Sequence, residues 1–366
     1  MRLFARTQVR NLTAPVVARV TTRATPDLSR RAYEVFLSSN GEMPADITGY
    51  AACLPPVPQM PYLADGDVVA ISPDGWIRAL YRRSSHQNTI LMTEQCNSYC
   101  LMCSQPPKGV NDAHRMAEHL RLVDLIDPET AELGVTGGEP TLFKDDFIRL
   151  LLHIKDRLPR TALHVLTNGR MFFYRRFAER IAEVAHPDLM LGIPLYSDVD
   201  FEHDYVVQAK GAFEETVLGL HHLARYEVPV EIRVVLHRQT VPRLVRLAEF
   251  IARNIPFAAH VALMGLEMFG FVHRNLDALW IDPFDYRDAL RETVETLDGA
   301  GMNVSIYNHQ LCTLPGELWP FARRSISDWK NVYLDECDRC GVREQCGGFF
   351  QSATKRHSRF IRALPR

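Results

Sequence analysis

NTILMTEQCNSYCLMCSQPPK, residues 88–108, joins a short apolar strand to a loop that carries three cysteines within eight positions. The strand is "TILMT", and beyond its loop the chain alternates between strands and helices. Apolar strands follow at "AELGVTGG" (131–138), "ALHVLTNG" (162–169), "LMLGIPLYS" (189–197), "PVEIRVVLH" (229–237) and "AHVALMGLEMFG" (259–270). Between them, "KDDFIRLLLHIKDRL" (144–158), "FAERIAEVA" (177–185), "AFEETVLGLHHLARY" (212–226) and "VPRLVRLAEFIARNI" (241–255) repeat apolar residues at helical spacing. Six near-continuous apolar strands alternating with helices predict a parallel sheet buried on both faces. Chemistry in such sheets gathers in the loops that leave the C-terminal ends of the strands. The cysteine loop leaves the first strand and so lies on that edge.

The rest of the chain narrows the class. With 366 residues and a net charge of −2, it is long enough for more than one domain and lacks the basic excess of bulk nucleic-acid binding. No apolar run is long enough to span a membrane, and the arginine-bearing N-terminus lacks the apolar core of a secretory signal. Residues 1–88 read as a small β-rich domain: Asp65-Gly66 and Asp74-Gly75 are turn signals beside the strands "VVAIS" and "WIRALY". Residues 89–275 hold the strand–helix alternation, and 276–366 a helix (286–297), a strand-like "NVSIYN" and more cysteines. Seven of the eight cysteines fall in two tight groups, a metal-site pattern that implies a reducing, cytoplasmic compartment. The eighth, Cys53, reads as a free thiol.

Cys96, Cys100 and Cys103 form C-x-x-x-C-x-x-C. Structural zinc takes four protein ligands, and an iron–sulfur cube is usually held by four thiolates. Three thiolates leave one iron open, as a catalytic site requires. The motif, after the first strand of a β/α unit, resembles the radical S-adenosylmethionine (SAM) enzymes, and "TGGEP" (136–140) at the end of the second strand matches that family's SAM-binding stretch. The resemblance implies a partial (β/α)6 barrel and a [4Fe–4S] cluster on Cys96, Cys100 and Cys103. It further implies that SAM is chelated at the open iron and cleaved to a 5′-deoxyadenosyl radical. Gly137 and Gly138 let backbone approach a ligand, Glu139 offers a carboxylate to the SAM ammonium, and Pro140 completes the motif. An ordinary strand-to-helix turn also accounts for the glycine pair. Met102 matches the position that packs near adenine. The family's ribose-contacting serine position holds Pro194, so Ser197 is taken in its place; Asn168 lines the pocket or simply makes an Asn-Gly turn.

Cys337, Cys340 and Cys346, with Cys312 upstream, suit a tetrahedral zinc or a fully ligated [4Fe–4S] cluster. The spacing resembles the C-terminal SPASM or twitch extension of peptide-modifying radical SAM enzymes, although Phe350 stands where a further cysteine is common. That resemblance implies one auxiliary [4Fe–4S] cluster. His203-Asp204 matches an "HD" pair of the same enzymes, Glu267 is a candidate substrate contact, and the basic tail "ATKRHSRFIRALPR" is either solvated or meets an acidic leader. "GDVVAISPDGWIRALYR", the quoted cysteine stretch and "SISDWKN…CDRCGVREQCGGFF" together resemble maturases of the His-Xaa-Ser system (HxsC type). This implies oxidative modification of a ribosomally made peptide, a second radical SAM maturase as partner, and a flavodoxin- or ferredoxin-like electron donor. No nucleic-acid or membrane partner is expected. The alternatives are a sulfatase-maturing or small-molecule radical SAM enzyme, and a non-catalytic zinc scaffold.

Overall fold

The computed structural model describes residues 3–10, 12–38, 41–324 and 332–365. The "SISDWKN" stretch, 325–331, therefore lies outside the described residues. Two sheets organise the chain. The first has strands β1 (Phe4–Arg6), β2 (Val16–Thr21), β3 (Glu34–Leu37), β4 (Ala52–Leu54), β5 (Val68–Ile71) and β6 (Trp76–Tyr81), in the order β1-β6-β5-β2-β3-β4. The β5–β6 pair is antiparallel and turns at Asp74-Gly75, where Gly75 has a φ of 90° and an added Cβ would meet Thr7 O at 2.2 Å. Cys53 is fully buried in β4. A short helix, α1 (Leu28–Arg31), precedes β3.

The second sheet is all parallel: β7 (Asn88–Leu91), β8 (Glu132–Thr136), β9 (Ala162–Leu166), β10 (Leu189–Pro194), β11 (Val230–Leu236), β12 (His260–Gly265) and β13 (Val304–Tyr307) lie side by side in chain order. The strand "NVSIYN" is thus the seventh member of this sheet, paired with β12 through Val261 to Met264. The crossover helices are α2 (Arg115–Leu125), α3 (Asp145–Arg157), α4 (Arg175–Val184), α5 (Asp200–Val207), α6 (Ala212–Arg225), α7 (Leu244–Asn254), α8 (Leu276–Leu279) and α9 (Arg287–Gly299). Among the described residues no helix is long and apolar enough to cross a membrane.

Because the strand order never reverses, right-handed crossovers lay their helices on one face. Leu163, Val165, Leu191, Ile193, Ile232, Val234 and Leu263 point into that core, with Phe147, Leu151 and Leu247 from the helices. Burial on both faces was the expectation, and the other face differs from it. There β8 and β9 alternate buried with partly exposed residues, and the face carries a polar network. Glu231 bonds His260 Nδ1 at 2.7 Å and Arg233 Nη1 at 2.5 Å, with His164 Nε2 at 3.5 Å. Gly192 makes room for it on the intervening β10, since a Cβ there would stand 3.0 Å from both His164 Nε2 and Arg233 Cδ.

Helix α2 joins the two sheets. Its Met116, Leu122 and Val123 share one core with Val17, Val68 and Ala70 of the first sheet. Arg19 donates to Leu125 O at 2.8 Å, and Arg78 pairs with Glu118 at 2.6 Å.

Candidate active site

The loop after β7 is held in place by the exits of its neighbours. At its start, Thr93 and Asp112 are buried, and the Asp112 carboxylate takes N–H bonds from Glu94 (2.7 Å) and Gln95 Nε2 (3.1 Å) and the Thr93 hydroxyl (3.0 Å). Burial opposes the charge of Asp112, but these bonds hold its carboxyl below the usual range. At its far end, Lys108 N–H donates to Glu94 O at 2.8 Å and Lys108 Nζ pairs with Glu94 at 2.9 Å, so "SQPPK" closes the loop on itself.

The glycine pair approaches this loop rather than an open pocket. Gly138 N–H donates to Thr93 O and Glu139 N–H to Gln95 O, both at 2.7 Å. A Cβ on Gly138 would lie 2.0 Å from Gln95 O, and one on Gly137 2.8 Å from Thr93 O. Glycine is required here because two main chains pack against each other.

Glu139 is fully buried, and its side chain is turned to protein donors. It accepts from Thr141 N–H (3.0 Å), the Thr141 hydroxyl (2.5 Å), the Thr167 hydroxyl (2.7 Å) and Asn168 N–H (2.6 Å). Burial raises its pKa. Glu139 caps the short turn at 140–143, with Pro140 in the first position, where its missing N–H costs nothing.

The middle of the loop meets β9 and β10. Asn168 Nδ2 donates to Asn97 Oδ1 at 2.6 Å while Gly169 takes φ 80°, so Asn168 both makes the Asn-Gly turn and touches the cysteine loop. Arg170 was not singled out from the sequence. Its guanidinium donates to Asn97 O (2.6 Å) and Ser98 Oγ (3.2 Å) and pairs with Glu215 on α6 (2.5 Å). Only its place after "TNG" at a strand exit signalled it. Tyr99 and Leu101 N–H groups donate to Val207 O and Val206 O at the end of α5. After β12, Phe271 N–H bonds Cys103 O and Asn275 Nδ2 bonds Leu101 O.

Cys96, Cys100 and Cys103 are thereby brought together, partly exposed at their surface. Burial and then the Glu139 charge push the Cys96 thiol up to about 11. Burial, then Cys103 and Cys96, raise Cys100 further, and burial raises Cys103. Three thiols on one pinned loop are the donor chemistry of an iron–sulfur cluster, whose irons take the thiolates and release their protons. Met102 is buried with Tyr196, Val206 and Met268, a core position. Ser197 donates to Glu202 Oε2 at 2.9 Å and accepts from Val199 N–H, which makes it a turn residue in this structure. His203 is buried and accepts from Tyr196 N–H, while Asp204 takes the N–H groups of Gly211 and Phe213 at the start of α6. Glu267 lies partly buried in the loop after β12.

The second group also comes together: Cys312, Cys337, Cys340 and Cys346 line one small cavity with Tyr333 and Phe349. Burial raises the thiols of Cys312 and Cys337, and neighbouring thiols add to it, Cys346 acting on both. In neither group, nor elsewhere among the described residues, do three His, Cys, Asp or Glu side chains close to the spacing of a single metal ion.

Residues 90–251 match the model of the Radical SAM superfamily. Fe-coproporphyrin III synthase of Methanosarcina barkeri is 27% identical over 153 residues, 41% of this chain and 37% of that one. Streptococcus suis SuiB bound to S-adenosylmethionine superposes with a TM-score of 0.49 at 14% identity, over 62% of this chain and 51% of SuiB. A radical SAM methyltransferase from Sphaerobacter thermophilus gives 0.42 at 14%, over 68% and 76%. The chain thus spans 37% of the synthase and about half of SuiB. The match to the Radical SAM superfamily model takes in the three thiols and the glycine pair, all within residues 90–251.

Proposed function

We propose that the chain is a radical SAM maturase that oxidatively modifies a ribosomally made peptide of the His-Xaa-Ser kind. The observation that carries the radical chemistry is the three-thiol loop gripped by the exits of β8, β9 and β12 and by α5. Cys96, Cys100 and Cys103 would hold a [4Fe–4S] cluster, with one iron left for SAM. When bound, the pair supplies a 5′-deoxyadenosyl radical that removes a hydrogen atom from the substrate. The protein's own part is placement. Arg170 fixes the Asn97–Ser98 backbone, and Asn168 ties Asn97 to the turn capped by Glu139. The Gly137–Gly138 backbone holds the loop's other flank.

The unreversed parallel sheet, with helices on one side and a polar face on the other, suits a partial barrel whose concave side receives the substrate. Cys312, Cys337, Cys340 and Cys346 would carry an auxiliary [4Fe–4S] cluster of the SPASM/twitch kind. Each thiolate of such a cage takes its own iron, which suits thiols that interact without crowding round one ion. The peptide substrate, the second maturase and the flavodoxin- or ferredoxin-like donor rest on the sequence resemblance, and a cytoplasmic setting on the grouping of the cysteines. Co-expression with a His-Xaa-Ser peptide and mass spectrometry tests the reading: a mass change with the natural chain, none with Cys100→Ala, is expected. An unmodified peptide beside an active SAM-cleaving enzyme would remove the substrate assignment and leave the radical chemistry standing.

A further inference from the structure

The four-cysteine cavity is roofed by the tail. Ile361 and Arg362 line it beside the thiols. Leu364 N–H points to Cys340 Sγ at 3.5 Å. Gly341 N–H donates to Leu364 O at 2.8 Å, which ties the roof to the Cys337–Cys340 turn. The approach is anchored as well. Arg359 N–H bonds Asp282 Oδ2 at 3.0 Å, its guanidinium pairs with Asp285 at 2.8 Å, and the Phe360 ring stacks on Phe284 at 3.7 Å. Leu364 packs on the main core.

From this geometry we infer that residues 361–364 are a strap that closes over the second site and sets its reduction potential through the Leu364 N–H···S bond to Cys340. The inference rests on the auxiliary-cluster reading above. A main-chain N–H on a ligating sulfur favours the more negative, reduced form of a cluster and so raises its potential. The four thiols stay partly exposed, and the strap narrows the access of water and oxygen to them from its side of the cavity.

The test uses full-length protein carrying Cys96→Ala, Cys100→Ala and Cys103→Ala, so that the second site alone can hold iron. Anaerobic reconstitution, iron and sulfide analysis and EPR-monitored redox titration are read first with the natural tail; no cluster there overturns the auxiliary-cluster reading itself. With a cluster present, Leu364→Pro removes the N–H and is expected to move the midpoint to lower potential, while Leu364→Ala keeps the N–H and leaves it in place. A chain ending at Phe360 is expected to bleach several-fold faster in air, which decides the matter should Leu364→Pro fail to fold. Equal midpoints in the Pro and Ala variants, or air bleaching unchanged by truncation, would overturn the strap.

Discussion

Gly138→Ala puts a methyl group 2.0 Å from Gln95 O and 2.5 Å from Gln95 C. Real Cβ atoms keep at least 3.0 Å from such neighbours, so the two chains must part by about 1 Å. The atoms in the way are main chain and cannot rotate aside. Parting also strains the bonds Gly138 N–H to Thr93 O and Glu139 N–H to Gln95 O, each worth about 1 kcal/mol. Overpacking of this kind costs about 1–3 kcal/mol, so with both bonds lost the sum for Gly138→Ala is about 3–5 kcal/mol. The cysteine loop takes up the shift, and a displacement of about 1 Å at a reacting centre lowers rates by roughly a hundredfold. Thermal unfolding of the anaerobic protein and chromatographic measurement of 5′-deoxyadenosine read the two effects. Gly109→Ala is the control, because nothing lies within 4 Å of its added methyl. Natural stability and turnover in Gly138→Ala would refute the claim that the glycine pair exists for chain-to-chain packing.

Arg170→Met removes the donors to Asn97 O and Ser98 Oγ and strands Glu215; a loss of about 1–3 kcal/mol is expected, with iron content after gel filtration lower than in the natural chain. Glu231 gives the acid prediction. Burial would raise its pKa, but His164 and His260 beside it and the Arg233 charge hold it well below the ordinary carboxylate range. Its contribution is therefore present above about pH 4.5 and is lost as pH falls further; denaturant midpoints should show this slope in the natural chain and a shallower one in Glu231→Gln, and equal slopes would contradict the network. Anaerobically reconstituted protein should bind about eight irons per chain, and Cys340→Ala about four, with iron and sulfide assays as the check.

The sheet was legible because strands such as "VEIRVVL" and helices such as "KDDFIRLLLHIKDRL" carry strong periodic signals. Helix α2 was not, since it is buried from two sides and its apolar residues, interrupted by His119, do not form a single stripe. Helix α5 was hidden for a related reason: "DFEHDYVV" carries its identity in Asp204, which caps the next helix through Gly211 and Phe213. The cysteines stood out through spacing alone. Which partner each polar residue finds depends on distant chain, and so the bonds of Glu139 with Thr167 and Asn168 carry no local sign. Arg170 and Asp112 hold the loop from 73 and 18 residues away, separations at which no local pattern exists.

Radical chemistry at this loop requires an iron left open by three thiolates. EPR of the dithionite-reduced protein with and without SAM measures this directly, with Cys337→Ala and Cys340→Ala in place to silence the second site. The expected result is a [4Fe–4S] signal whose g-values shift when SAM is added, together with 5′-deoxyadenosine in the solution. Zinc with no iron–sulfur signal, or a cluster signal indifferent to SAM, would contradict it.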